Sequence, residues 1–255
     1  SQIMKDGGRT GCVVRDPEIY SPIYKEGRLY NPDVARKLAE TCRNCVNPTC
    51  VVECPAGVDI PGFISAIAEK NEWKSYKILR TANMLPEICA YVCPVEVQCE
   101  KGCIQQYLGD GPVPINLLQR YVSRRARNEG WEVITFPENV IDKNVAIIGA
   151  GPSGLACAIR LLELGYKVTV FDREKRPGGI VKYTYPEYKI PDKTIDDEID
   201  YILSKAEGKR LFWRLGTEIS SDYNLDDIIK EGFDAVFIGI GLMKSNPLPD
   251  AKKPK

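Results

Sequence analysis

The amino-acid sequence predicts an α + α/β protein, in which a helical domain precedes an α/β domain. Helical signals begin at NPDVARKLAETC, from residue 31, and two cysteine-rich runs, CRNCVNPTCVVECP and CAYVCPVEVQCEKGC, lie among them. At KNVAIIGAG, from residue 143, the pattern changes abruptly to strand, glycine turn, helix and strand. The 255 residues are enough for two modest domains, each with its own core.

The chain divides into three predicted parts. Residues 1–30 show no sustained periodicity and are expected to form an irregular N-terminal arm. The helical domain takes residues 31–138, with Asn31 as the N-cap of its first helix and Pro32 at the first helical position. Its further helices are IPGFISAIAEKN, EWKSYKILRTA and PINLLQRYVSRRARN.

The α/β domain takes residues 139–255, and the boundary is expected between Pro137 and Asp142. Its later predicted elements are a helix from Asp192 to about Lys205, a strand LFWRL, a short helix from Leu225 and a buried strand DAVFIGIG. After Gly241 the chain runs into SNPLPDAKKPK, a lysine-rich tail that is expected to be either a chain end or a trimmed edge.

Composition narrows the functional classes. The formal net charge is zero and no long run of one sign occurs, so neither nucleic acid nor an anionic membrane surface is an expected partner. No apolar stretch is long enough to insert in a membrane, and SQIMKDGGRTGC lacks the features of a secretion signal. A cytoplasmic protein is predicted, and in that reducing compartment clustered cysteines are more often metal ligands than disulfides.

The two cysteine runs favour iron–sulfur clusters. Their spacings are C-x2-C-x4-C-x3-C-P and C-x3-C-P-x5-C-x3-C. The nearest physical relative is the bacterial ferredoxin run, in which three closely spaced thiolates hold one cluster and the cysteine before proline reaches another. Zinc is disfavoured by the two C-P endings and by the lack of C-x2-C in the second run, and disulfides by the compartment. Eight cysteines can hold two 4Fe–4S clusters.

The α/β domain opens with a dinucleotide-binding fingerprint. The glycines of G-x-G-x-x-G lie between a strand and a helix, and a second strand, KVTVF, ends in an acidic residue. The predicted loop contains Gly149, Gly151, Pro152, Ser153 and Gly154, and the strand end carries Asp172 and Arg173. We expect Asp172 to accept a hydrogen bond from a ribose hydroxyl and to repel a ribose phosphate, which favours FAD or NAD over NADP.

The two cysteine runs resemble the N-terminal domain shared by the glutamate synthase small subunit, dihydropyrimidine dehydrogenase and the ferredoxin:NADP transhydrogenase large subunit. The resemblance covers roughly residues 35–242 and implies that the ligands cross between the runs. One cluster would be held by Cys42, Cys45, Cys50 and Cys103. The other would be held by Cys54, Cys93, Cys99 and Gln119. Cys89 is left as a small apolar core residue, although it competes with Gln119 for the fourth position.

The same resemblance implies FAD as the dinucleotide. The stretch REKRPGGIVKYTYPEYKIP is similar to the family's FAD loop, in which a glycine pair matching Gly178 and Gly179 passes near the flavin. Tyr183 is expected near the flavin ring system. In the FIGIG strand, Gly239 and Gly241 match a turn close to the dinucleotide. No role is assigned to Cys12, and Cys157 is expected in the core.

These features together predict an electron-transfer subunit with FAD and two 4Fe–4S clusters in a larger oxidoreductase complex. Its partners would be other redox subunits, with ferredoxin among the candidates. Members of the family continue with a second Rossmann module for NAD(P)H, but no second G-x-G-x-x-G follows Gly241 in this sequence. We therefore expect an incomplete FAD domain, with the NAD(P)H site elsewhere. We expect no catalytic side chain in this chain. The alternatives are the N-terminal part of a complete NAD(P)H-dependent enzyme of the glutamate synthase small-subunit type, and a zinc-held scaffold with a degenerate flavin fold.

Overall fold

The computed structural model describes residues 31–108, 111–132, 136–137 and 140–242. The predicted arm at 1–30, Cys12 and the chain after Leu242 lie outside the described residues. The chain divides into two compact units. The first unit comprises Ser1–Ile134 and Pro186–Tyr201, and the second comprises Thr135–Tyr185 and Ile202–Lys255.

The first unit is helical, as the sequence predicts. Its helices before residue 134 are α1 (Pro32–Ala39), α2 (Thr49–Val52), α3 (Ile60–Ala68), α4 (Glu72–Ala82), α5 (Pro86–Val92) and α6 (Ile115–Asn128). Two short 3-10 turns, Val95–Val97 and Ile104–Tyr107, lie between α5 and α6. The prediction for Asn31 is confirmed, because its side chain accepts a hydrogen bond from the N–H of Asp33 over 2.9 Å.

The core of the first unit is apolar and its cysteines lie in and against it. Phe63, Ile64, Leu79 and Val122 are completely buried at its centre. Two cysteines of the second run are buried among these side chains, and three cysteines of the first run pack against them from partly buried positions: Cys99 and Cys103, and Cys42, Cys50 and Cys54. The helices thus have an apolar core of their own, and these five cysteines lie within it or pack against it.

The second unit is a four-stranded parallel sheet with helices. Its strands are β1 (Asn144–Ile148), β2 (Lys167–Asp172), β3 (Leu211–Leu215) and β4 (Ala235–Ile238), in the order β3-β2-β1-β4. The helices along this part of the chain are α7 (Pro152–Glu163), α8 (Ile180–Tyr183), α9 (Asp192–Leu203) and α10 (Leu225–Lys230). Parallel strands joined by helices give the predicted Rossmann-like topology.

One predicted strand differs in its burial. The apolar sequence of β4 predicts a buried strand, but Ala235 and Ile238 are exposed and the two residues between them are only partly covered. The reason is position, since β4 pairs only with β1 and lies at the edge of the described sheet.

The segment Pro186–Tyr201 belongs to the first unit although it lies in sequence between two stretches of the second. It contains most of α9, whose Ile195 and Ile199 are buried. The Tyr201 hydroxyl donates a hydrogen bond to the carbonyl oxygen of Trp131 over 2.6 Å, and the Tyr201 ring lies 6.3 Å from that of Tyr76. No helix in the described ranges has the length and apolar character needed to cross a bilayer.

Candidate cluster and dinucleotide sites

The first group of thiols lines one cavity at the surface of the first unit. Three of its cysteines come from the first run and one from the second: Cys42, Cys45, Cys50 and Cys103. Burial, followed by the negative charges of Cys103 and Cys42, raises the pKa of Cys50 to about 11. Burial likewise raises the pKa of Cys42. These thiols therefore influence one another's charge and share a single environment.

Local structure explains how Cys103 reaches the first run. A Cβ atom at Gly102 would lie 3.0 Å from the carbonyl oxygen of Thr49 and 2.9 Å from Cγ of Glu53, so only glycine lets the second run lie this close to α2. Arg43 donates from Nε to Oε1 of Gln105 over 3.0 Å, which joins the two runs again. Spacing alone does not predict this contact, although the glycine before Cys103 is a signal for it.

A second group of thiols forms around Cys99. Burial raises the pKa of Cys99, followed by the charges of Glu100, Cys54 and Cys93, which places these side chains within electrostatic range of one another. Cys93 follows directly after α5. A hydrogen bond with Cys89 lowers the pKa of Cys93, and the positive charge of Lys189 acts in the same direction against the effect of burial.

The fourth position of the second group has two candidates. Cys89 lies one helical turn before Cys93, and its thiol hydrogen-bonds with Cys93 and donates to Oδ1 of Asn83 over 3.5 Å. Gln119, on α6, donates from Nε2 to the carbonyl oxygen of Pro86 over 2.7 Å. Because the amide nitrogen is fixed by this bond, Oε1 is the Gln119 atom that a metal would use. Cys89 belongs to α5 itself, whereas Gln119 reaches α5 from α6, and both remain candidates.

A single zinc ion and a 4Fe–4S cluster place different demands on the thiols that bind them. In the part of the chain that the structure describes, no three His, Cys, Asp or Glu side chains lie close enough to share one metal ion. Zinc needs its sulfur ligands about 2.3 Å from one centre, whereas a 4Fe–4S cluster is a larger body whose four thiolates bind different irons.

The glycine loop after β1 is built by close backbone contacts. Gly149 has φ +108°, and a side chain there would collide with the carbonyl group of Gly239. A side chain at Gly154 would collide with the carbonyl oxygen of Gly149. At Gly151 the situation differs, because the nearest atom to an added Cβ is the Cα of Gly179 at 3.8 Å. The first and last glycines are therefore required by packing, and the middle one keeps space open.

That space lies at the start of α7. Pro152 opens the helix, and no side chain caps the N–H groups of its first turn. Such N–H groups, with the helix dipole behind them, bind phosphate. Ser153 is exposed and Gly154 is buried in this turn. The loop has the geometry that the pyrophosphate of a dinucleotide requires.

Asp172 has a structural role that sequence reasoning missed. Its Oδ2 accepts a hydrogen bond from the N–H of Ala150 over 2.6 Å, and its Oδ1 accepts one from Glu174 over 2.8 Å. The carboxylate thus ties the end of β2 to the glycine loop. Each oxygen retains a second acceptor position for a ribose hydroxyl. Arg173 is exposed and forms a 3.5 Å ion pair with Glu174.

The second glycine pair packs against the first loop. The N–H of Gly178 donates to the carbonyl oxygen of Ala150 over 2.8 Å, and a Cβ at Gly179 would lie 2.6 Å from the Cα of Gly151. Tyr183 closes this loop on itself, since its hydroxyl bonds to the backbone N–H and carbonyl of Arg176 over 3.2 and 3.1 Å. Its expected place near a flavin ring stays a prediction.

The end of β4 completes the same region. The N–H of Gly239 donates to the carbonyl oxygen of Ile148 over 2.7 Å, which continues the pairing of β4 with β1. Gly241, three residues after the end of β4, has φ +69° and turns the chain. Cys157, which was expected in the core, is only partly buried on α7, and burial raises its pKa.

Comparison with known families matches both halves of the chain. Residues 23–131 match the family described as dihydropyrimidine dehydrogenase domain II, 4Fe–4S cluster. Residues 147–212 match the family described as NAD(P)-binding Rossmann-like domain. The fold and these matches define a class of protein in which a helical 4Fe–4S domain is joined to a Rossmann-like dinucleotide domain.

Several curated proteins are similar to this chain over most of its length. The chain is 34% identical over 230 residues to the glutamate synthase [NADPH] small chain of Escherichia coli K12, a match of 89% of this chain and 46% of the relative. It is 35% identical to the small chain of Halomonas elongata, with 89% and 45% covered. It is 33% identical to the NAD-dependent dihydropyrimidine dehydrogenase subunit PreT of E. coli O157:H7, with 86% and 52% covered.

Over most of its length the chain is similar to the glutamate synthase small chains and to the PreT subunits, which are oxidoreductases by name. It spans about half the length of the curated relatives that it matches.

Proposed function

We propose that this chain holds FAD and two 4Fe–4S clusters and passes electrons between them within an oxidoreductase. The observation that carries the proposal is the cavity lined by thiols of both runs, in which Cys103 joins Cys42, Cys45 and Cys50. Four thiols around one cavity are the donor set of a 4Fe–4S cluster. Cys54, Cys93 and Cys99 supply three donors for the second cluster.

The thiols would have to lose their protons when metal binds. Thiolates, not thiols, ligate iron, and burial raises the pKa of Cys50 to about 11 and that of Cys99 as well. Without metal these side chains would keep their protons at neutral pH. Binding of the cluster would release the protons, because the positive charge of the irons reverses the effect of burial.

The second unit supports FAD through its two glycine loops. Gly151 leaves room beside the first turn of α7, and Gly179 lies against it, so the two loops would contact a pyrophosphate from different sides. The charge of Asp172, fixed by two backbone N–H groups, disfavours a phosphate on the adenosine ribose. The choice of FAD over NAD rests on the similarity of the Gly178–Gly179 loop to the family's FAD loop. FAD, when bound, supplies a carrier that can link two-electron and one-electron transfer.

A second candidate function concerns the nicotinamide. The 34% identity over 89% of this chain to an NADPH-dependent small chain favours the N-terminal part of a complete NAD(P)H-dependent enzyme. Both candidates share the two clusters and the flavin and differ in where hydride enters. In either case the partners would be other redox subunits, with ferredoxin as one candidate, in the cytoplasm.

The cofactor content of the anaerobically purified protein tests the proposal. We expect about eight irons, about eight acid-labile sulfides and about one FAD per chain, as two 4Fe–4S clusters and one flavin require. Iron and sulfide are measured chemically, and the flavin is identified after extraction. Stoichiometric zinc with little sulfide would instead support the zinc-held scaffold, and NAD in place of FAD would correct the dinucleotide.

The fourth ligand of the second cluster can be assigned with two single substitutions. Gln119→Ala removes the amide oxygen and should perturb the spectrum of that cluster, whereas Cys89→Ser should leave both clusters nearly unchanged. Electron paramagnetic resonance of the reduced proteins measures this. Loss of a cluster in Cys89→Ser, with a normal spectrum in Gln119→Ala, would assign the position to Cys89.

A further inference from the structure

Glu198 is a buried acid whose side chain reaches a cysteine-bearing helix. It lies on α9 with 2% of its surface exposed. One carboxylate oxygen accepts a hydrogen bond from the backbone N–H of Glu87 and the other accepts one from Ile88, each over 2.6 Å. Both N–H groups belong to the first turn of α5. Glu198 therefore caps a helix that begins more than a hundred residues before it in the chain.

The start of α5 has no cap of its own. Its N-cap position is Leu85, which offers no side-chain acceptor. Unpaired N–H groups at a buried helix start are costly, and a carboxylate placed there also interacts favourably with the helix dipole. Burial, followed by the charge of Glu87, raises the pKa of Glu198 to about 8, which the two N–H donors oppose. The capping bonds are thus the main compensation for burying this acid.

An ion-pair network also connects α9 with α5 and α6. Arg127 of α6 contacts both carboxylate oxygens of Glu87 over 3.2 and 3.3 Å and pairs with Asp197 over 2.8 Å. Asp197 precedes Glu198 on α9, so the two neighbours bind α6 and α5 respectively. The helices α5, α6 and α9 are joined at one point by these contacts.

The consequence falls on Cys93, which follows α5 directly. A helix of only seven residues has little stability of its own, so the direction of the Cys93 thiol depends on what holds the helix. Glu198 lies in the segment Pro186–Tyr201. The same segment contains Lys189, whose positive charge lowers the pKa of Cys93. We propose that Glu198 is a positioning residue for the cluster held by Cys54, Cys93 and Cys99. This inference rests on the proposed function, because it needs that cluster to exist.

Two substitutions at Glu198 distinguish a role in capping α5 from a role in filling space. Glu198→Gln keeps the shape, but its NH2 group faces one of the two N–H donors, so one capping bond is lost. Glu198→Leu keeps an apolar volume and removes both bonds. The matched control is Asp200→Asn, which makes the same change of charge at an exposed position of α9.

The experiment is a redox titration of the anaerobic protein, followed by electron paramagnetic resonance, at a pH one unit above the Glu198 value of about 8. In Glu198→Gln we expect the potential of this cluster to become more positive, because the negative charge of Glu198, which acts on the Cys89 thiol of α5, would no longer oppose reduction. In Glu198→Leu we expect loss of about half the iron. The other cluster and the Asp200→Asn protein should match the wild type. Repeating Glu198→Gln with Cys103→Ser identifies which signal has shifted.

Unchanged potential and spectrum of both clusters in Glu198→Gln would overturn the inference, as would equal effects on the two clusters. If Glu198→Leu does not fold, as judged by its thermal melting against the control, the decision rests on Glu198→Gln. A wild-type protein without the second cluster would be a failure of the proposed function and is recognised before any variant is made.

Discussion

Replacing Cys103 by serine is expected to remove one cluster and to leave the other in place. The thiol of Cys103 lines the cavity that Cys42, Cys45 and Cys50 share, although more than fifty positions separate it from the nearest of them. Serine is a poor iron ligand at neutral pH because its hydroxyl does not ionise there. We expect iron to fall from about eight to about four per chain.

The remaining spectrum should be that of the cluster at Cys54, Cys93 and Cys99. Iron and sulfide analysis with electron paramagnetic resonance measures this, and Cys157→Ser is the control, since that thiol lies on α7 in the other unit. If Cys103→Ser instead perturbs the second cluster and spares the first, the ligands are grouped within each run and the crossed arrangement is wrong.

The substitution Gly151→Val is expected to abolish flavin binding without removing the clusters. An added Cβ finds no protein atom closer than the Cα of Gly179 at 3.8 Å, so the loop itself tolerates a small side chain. The branched side chain would fill the space in which the backbone must meet the pyrophosphate. We expect FAD content to fall at least about tenfold while iron stays at about eight per chain.

Flavin absorbance after gel filtration and the iron content of the same sample give the result. Gly151→Ala should show an intermediate loss, because its single methyl group fills part of the same space. Cys157→Ala, on the same helix, should retain the flavin. Full flavin content in Gly151→Val would move the dinucleotide site away from the glycine loop.

The sequence predicts those features that depend on residues close together in the chain. Asn31 caps α1, and Gly149 and Gly154 occupy positions where a side chain would collide with the backbone. These outcomes depend on neighbours in sequence or on a motif that fixes its own geometry. The cysteine runs likewise predict from local sequence that the ligands are thiolates. The grouping of Cys103 with the first run, in contrast, is predicted only by the family resemblance.

Other features could not be predicted because they depend on contacts between distant residues. Nothing near Glu198 in the sequence indicates that its carboxylate binds α5 or that its segment belongs to the first unit. The sequence predicts that Asp172 binds a ribose hydroxyl. It does not predict the two hydrogen bonds of Asp172 to backbone N–H groups, because these depend on the path of the loop after β1. The exposure of β4 follows from its edge position, which an apolar strand sequence does not reveal.

The approach of Cys103 to the first cysteine run also matters for the lifetime of the protein. A cluster bound at Cys50 and Cys103 would close a loop of roughly 50 residues, and the chain-entropy estimate for a covalent link of that length is about 4 kcal/mol. The proposed clusters would therefore act as cross-links that restrict the unfolded chain. Oxidative loss of a cluster would then make the chain easier to unfold and to digest with a protease.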